Sequence, residues 1–428
     1  MPRGGLSMAV RRTNRLCTFR AMSTHHRRRL AERLALLLSP VALGTALFLQ
    51  GCARIRPVST ETDLLVRREV LAEKHAETLR RQFGALYAGI RDEYEAKRAE
   101  GSTEPPTCDI LIISGGGDYG AFGAGFLKGW GAVGNEGIPR PAFEVVSGVS
   151  TGALIAPFAY LGSDEDYDEV VELYSNPKDD WVRERGLLFF LPANESFAEV
   201  PGLEREVRTA FGEERIARIA AESARGRLLV VNTTDLDDGG SRPFELSHIA
   251  ADAARTGDPS KFHDLLLASS GIPGAFPPRE IESGLYVDGG VTSNILYGGD
   301  LKRNRGLRTL WGEIAPGLPP LRVRYFVILN NSLNATPQTT QRSWVAVIER
   351  SVELAVRAST LTALRHLLAL AHIANLEGDT TAEVRIVAIP DDWRPPVPGV
   401  FKEETMRALE KLGEEMGRDP SSWRTELD

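Results

Sequence analysis

Three short segments carry residue types that could do chemistry. Gly148-Val149-Ser150-Thr151-Gly152 is a G-x-S-x-G pentapeptide, preceded by the apolar run Phe143-Glu144-Val145-Val146 and followed by the apolar stretch from Ala153 to Leu161. A serine between a strand and a helix sits on a sharp turn, and glycines on either side let the backbone crowd there without a Cβ clash. Its hydroxyl is then exposed at a helix N-terminus, where the dipole favours developing negative charge. Upstream lies Gly115-Gly116-Gly117-Asp118-Tyr119-Gly120. Consecutive glycines present backbone N–H groups and allow close approach, which suits an oxyanion hole. Gly115, Gly117 and Gly120 also make a G-x-G-x-x-G, which suits a dinucleotide pyrophosphate. The acid that this second reading needs could only be Glu136 or Glu144, and Glu144 stands in the middle of an apolar run. Downstream, Leu285-Tyr286-Val287-Asp288-Gly289-Gly290 puts a carboxylate at the end of a strand with room beside it. Such a group could accept the serine proton; taken alone it reads as an Asp-Gly turn.

These segments need elements to hold them. Cys108 to Ile113 is a buried-strand run feeding the glycine segment, and a helix follows from about Ala121 to Val133. Phe143 to Val146 is the next strand and the helix after Ser150 the next crossover. Strand and helix alternate, which predicts a mostly parallel sheet with helices on both faces, a three-layer α/β/α fold. Further strands are expected at Arg227–Asn232, Leu285–Val287, Tyr325–Asn330 and Val384–Ile389. Residues 163–225 read as helix and loop. Within them Trp181 to Phe190 reads as core packing, with a lid or membrane-facing loop as the alternative. The apolar region Val345 to Leu376 is interrupted by Arg350, Arg357, Arg365, His366 and His372 too often for a membrane span, and reads as one or two helices covering the sheet.

Together the three segments resemble the patatin-like phospholipase family, whose members carry a G-G-G-x-x-G segment, a G-x-S-x-G elbow and a D-G-[GA] aspartate in this order. Ala268 to Pro278 is similar to the family's segment upstream of the aspartate. The resemblance covers roughly residues 108–300. It implies a lipid acyl hydrolase with a serine–aspartate dyad: Ser150 attacks the acyl carbonyl, Asp288 is the base, and the amides of Gly116, Gly117 and Asp118 hold the oxyanion. It implies no cofactor. Many members carry arginine where this chain has Tyr119; backbone donors survive that change, whereas an arginine's hold on phosphate does not. Two alternatives stay open. A Ser-Asp-His triad would run in the order Ser150, Asp288 and then His366 or His372. A non-catalytic lipid-binding protein would keep the pocket and dispense with the serine. No metal is expected: His248 and His263 lack partners at ligand spacing, and Asp235, Asp237 and Asp238 read as an acidic turn.

The rest of the chain bounds the setting. The 428 residues are 42% hydrophobic and 25% charged, with a formal net charge of -7. Residues 1–51 hold nine arginines against one acid, Glu32, so the remainder is strongly acidic and a poor nonspecific nucleic-acid binder. His25 to Arg29 precedes an apolar stretch from Leu34 to Leu49, the pattern of a secretory signal. It ends in Leu49-Gln50-Gly51-Cys52, which resembles a bacterial lipobox and implies lipidation of Cys52 and a membrane anchor in the cell envelope. Residues 1–51 are thus expected to be a signal peptide. Residues 52–107 are read as a tether and an amphipathic helix running from Leu64 to Tyr94, 108–400 as the hydrolase domain, and 401–428 as a helical tail.

Overall fold

Alternation of apolar side chains along the strands splits the core in two. In the computed structural model, which describes residues 56–133, 137–186, 194–297, 310–378 and 380–427, Leu111 and Ile113 face one buried cluster, and Ile110 and Ile112 face another on the opposite side of the sheet. A sheet buried on both faces needs such continuous apolar runs. The lipobox, Cys52 and the signal segment lie outside the described residues.

In chain order the elements are α1 (Glu61–Ala99), β1 (Thr107–Ile113), α2 (Gly120–Gly131), β2 (Val145–Val149), α3 (Thr151–Leu161), α4 (Asp164–Ser175), β3 (Arg183–Glu184), β4 (Ala198–Glu199), α5 (Pro201–Ala210) and α6 (Glu213–Ser223). Then follow β5 (Leu228–Asp235), β6 (Gly240–Glu245), α7 (Leu246–Thr256), α8 (Ser260–Ser269), β7 (Arg279–Ile281), β8 (Gly284–Asp288), β9 (Leu321–Ser332), α9 (Trp344–Glu377), β10 (Thr380–Ile389) and α10 (Glu403–Arg418). The main sheet runs β10-β9-β1-β2-β5-β8-β7, with β6 also on β5. The five strands from β10 to β5 are mutually parallel, and β6, β7 and β8 are antiparallel additions. The expected mostly parallel α/β sheet is what forms.

The expected strand at Phe143–Val146 is displaced: β2 begins at Val145, opposite Ile110 of β1. Glu144 instead turns its carboxylate onto the Asp109 amide, and burial, aided by the Asp109 charge, pushes its pKa up to about 7. The β5–β6 hairpin is an addition to the expectation. Its turn is the acidic stretch, where Asp235 Oδ1 accepts the amides of Asp237 and Asp238 at 3.0 and 3.4 Å.

Val345–Leu376 forms a single helix, α9, burying Thr360, Leu364, Leu367, Ala371 and Ala374 at steps of three and four. Among the described residues it is also the one helix long and apolar enough by composition to cross a membrane. From Thr360 onward its buried stripe packs on the sheet, while the turns before it are exposed. On the other face α10 crosses α2 closely, because Gly413 and Gly417 lie against the Phe122 and Phe126 carbonyls and Gly125 and Gly129 against those of Glu410 and Glu414. The C-terminal helix, with Met406 and Leu409 fully buried, is therefore a wall of the core.

Candidate active site

The geometry of β5 brings Ser150 and Asp288 together. One edge of β5 is taken by β6 over residues 230–235. On the other edge β2 pairs as far as Asn232 and β8 takes over from Thr233, the partner of Asp288. These two strands run in opposite directions along one edge and end face to face. The residue after β2 is Ser150 and the last residue of β8 is Asp288, so the serine and the aspartate meet at the junction.

Ser150 has φ 55° and ψ −126°, the one strained position of the elbow. The crowding around it explains the glycines: a Cβ on Gly148 would lie 2.2 Å from the Gly152 carbonyl oxygen, and one on Gly152 would lie 2.3 Å from that of Ile113. Neighbouring groups lock the strained turn. The Ser150 amide donates to Ser269 Oγ at 3.0 Å, and Ser270 Oγ donates to the Ser150 carbonyl at 3.2 Å. The next residue, Gly271, accepts the Asp288 amide at 2.9 Å. Ser269-Ser270-Gly271 thus fixes both partners. It lies in the Ala268–Pro278 segment, which sequence reading singled out without assigning its residues a task.

The Ser150 side chain stands beside the Asp288 carboxylate and favours its ionised form, and the Gly290 amide donates to Asp288 Oδ1 at 2.7 Å. Burial raises the Asp288 pKa, and these two neighbours oppose the rise; the result is about 6. The raised value means that the ionised carboxylate is costlier folded than unfolded. The penalty is absent below about pH 4, where both states are protonated, and complete above the folded value. Asp288→Asn keeps an acceptor for Gly290 and sheds the charge, so at pH 8 it should stabilise the fold by on the order of 3 kcal/mol. Urea unfolding of both proteins at pH 8 and pH 4.5 tests this, and a stability difference that does not shrink at the lower pH would contradict the assigned burial.

The glycine segment lies against the serine: a Cβ on Gly115 would come within 2.9 Å of Ser150 Cβ. Among the described residues the amides of Gly116, Gly117 and Asp118 pair with no other residue, and they stand at the start of α2 beside Ser150. Two asparagines that sequence reading did not find hold the segment. Asn294 Oδ1 accepts the Gly115 amide at 3.1 Å, while its Nδ2 donates to Thr360 Oγ1 at 3.0 Å. Asn330, fully buried at the end of β9, donates to the Ser114 carbonyl at 2.8 Å and accepts from the Gly123 amide at 3.0 Å. A polar pair, Asn330-Asn331, closing the apolar run of β9 is the signal that marks it.

A cleft opens beside Ser150, walled by Leu154, Phe158, Leu173, Trp181, Phe211 and Phe276 among others. The apolar walls fit a hydrocarbon chain. Trp181 is buried as expected and also lines the cleft; residues 187–190 of the expected packing stretch lie outside the described residues. Tyr119 turns away to Trp393, with ring centroids 5.7 Å apart. His366 Nδ1 is 2.7 Å from the Tyr297 hydroxyl, and neither it nor His372 is among the described residues lining the cleft.

Fold and site define a three-layer α/β protein with a serine elbow, an architecture used by serine hydrolases. Residues 111–298 match the family model of the patatin-like phospholipases, so the chain carries a patatin-like phospholipase domain, the domain of a family of lipid-ester hydrolases. β9, α9, β10 and α10 lie beyond the matched span, and β9 and β10 complete its sheet. No curated protein matches the chain.

Proposed function

We propose that the protein is a lipid acyl hydrolase working through a Ser150–Asp288 dyad. The observation that carries this reading is the strand register that sets Ser150, after β2, against Asp288, at the end of β8, at an apolar cleft and beside the glycine-segment amides. Ser150 Oγ attacks the ester carbonyl as Asp288 takes its proton. The amides of Gly116, Gly117 and Asp118 donate to the oxyanion. The tetrahedral species collapses, the alcohol leaves with the proton from Asp288, and an acyl-serine remains. Water, deprotonated by Asp288, then releases the fatty acid and restores the hydroxyl.

The substrate is a lipid acyl ester, because the cleft walls are apolar. With Tyr119 packed on Trp393 in place of the usual arginine, nothing at that position holds a phosphate. Anchoring at a bacterial envelope through lipidated Cys52 is supported by the signal-like segment before it. The first turns of α9 add to this: Trp344, Val345, Val347 and Ile348 are exposed, and the helix touches the site further on, through Thr360 and Asn294. A fluorophosphonate, which phosphonylates activated serines, tests the reading. Wild-type protein should be labelled and Ser150→Ala should not; a wild type that resists the reagent, or a variant labelled equally, refutes the assignment.

A further inference from the structure

Asp118 is a buried carboxylate on the oxyanion segment, where a negative charge opposes the charge that the site must stabilise. Such a group needs a use. Its Oδ2 accepts the amide of Phe401 at 2.9 Å, across 283 residues of chain. Phe401 has φ 54°, an outlier for a bulky side chain, and persists there only because its surroundings fix it. Those surroundings are the Asp118 carboxylate and Trp181, whose ring meets that of Phe401 edge-on at 6.1 Å. The half-buried Phe401 ring lines the cleft together with Gly117 and Ser150. Phe401 stands well beyond residue 298, where the family match ends.

We propose that Phe401 is a specificity-determining residue through which the C-terminal segment sets acyl-chain preference, its ring forming the cleft wall against which a long acyl chain binds, and that the Asp118 side chain is the positioning residue that holds it there. The proposal rests on the acyl-hydrolase reading. It follows from shared burial: a chain long enough to reach the ring gains apolar contact, and a short one does not.

The test is the ratio of kcat/KM for p-nitrophenyl dodecanoate to that for the butyrate, which cancels effects on the chemistry common to both esters. Phe401→Gly removes the ring while suiting the observed φ, so the backbone is relieved and not strained. It should lower the ratio about tenfold, whereas a ratio within about twofold of wild type, or a raised one, overturns the proposal. Asp118→Ala should lower the ratio in the same direction. Asp118→Asn, which keeps an acceptor oxygen for the Phe401 amide, should restore most of it. An Asp118→Ala protein with the wild-type ratio removes the positioning role. A wild type that hydrolyses neither ester overturns the acyl-hydrolase reading, and this inference with it, whereas an active wild type whose ratio ignores both positions overturns this inference alone.

Discussion

Asp288→Asn should lower kcat on the order of 10⁴-fold, because it removes the base that takes the serine proton and leaves the hydroxyl un-ionised. His366→Ala and His372→Ala should retain turnover. His366 is engaged with Tyr297, and neither histidine lines the cleft. A triad predicts the opposite for one of them, so a folded histidine variant without activity would falsify the dyad. The pH profile gives a second reading of the same group. Asp288 must be ionised to accept a proton, and burial holds its pKa at about 6. In wild type kcat/KM should therefore climb as pH rises through 6 and level off above 7. A limb well below 5 would mean that the working base is a carboxylate in an ordinary solvated setting. The substitution expected to stabilise the fold at pH 8 is also the one expected to disable it. That pairing separates a functional carboxylate from a structural one, since removing a structural ion partner destabilises.

The parts of the site that could be read in the sequence are those whose physics is local. The elbow needs Gly148 and Gly152 because the backbone folds onto itself within five residues, and such crowding leaves a motif. The Asp288-Gly289-Gly290 turn is local for the same reason, with the Gly290 amide bonded to the carboxylate two residues before it. What closes the site is not local. That β2 and β8 share one edge of β5 is a matter of register among strands more than 50 residues apart, which no pentapeptide records. Asn294, Asn330 and Phe401 act through hydrogen bonds to residues distant in sequence, so no local motif records the task. β6 is hidden differently. Gly240–Glu245 contains Pro243 and lacks an apolar alternation, and it is tolerated as a strand because it pairs only with β5. β2 starts two residues later than its apolar run, because Phe143 and Val145 are both buried and burial alone does not tell where pairing with β1 begins.

Gly116→Ala carries the second large effect, through space. A Cβ there would lie 2.2 Å from the Asn330 carbonyl oxygen and 2.7 Å from Asn330 Cβ. Asn330 cannot yield, since it is fully buried and bonded to Ser114 and Gly123 on either side. The glycine segment must move instead, and with it the amides aimed at the oxyanion. Loss of one such donor lowers kcat by about 10²–10³-fold, and that is the expected result, with KM for a soluble ester changing far less. Gly117→Ala separates geometry from crowding. Its Cβ would meet nothing within 4 Å, but φ 60° strains any residue with a side chain. It should destabilise by about 1–2 kcal/mol and lower kcat less than its neighbour does. Steady-state kinetics and urea unfolding on both variants decide the point. If Gly116→Ala turned over at the wild-type rate, the oxyanion donors would have to be sought elsewhere than in this segment, and the tight packing of Asn330 against it would serve the fold alone.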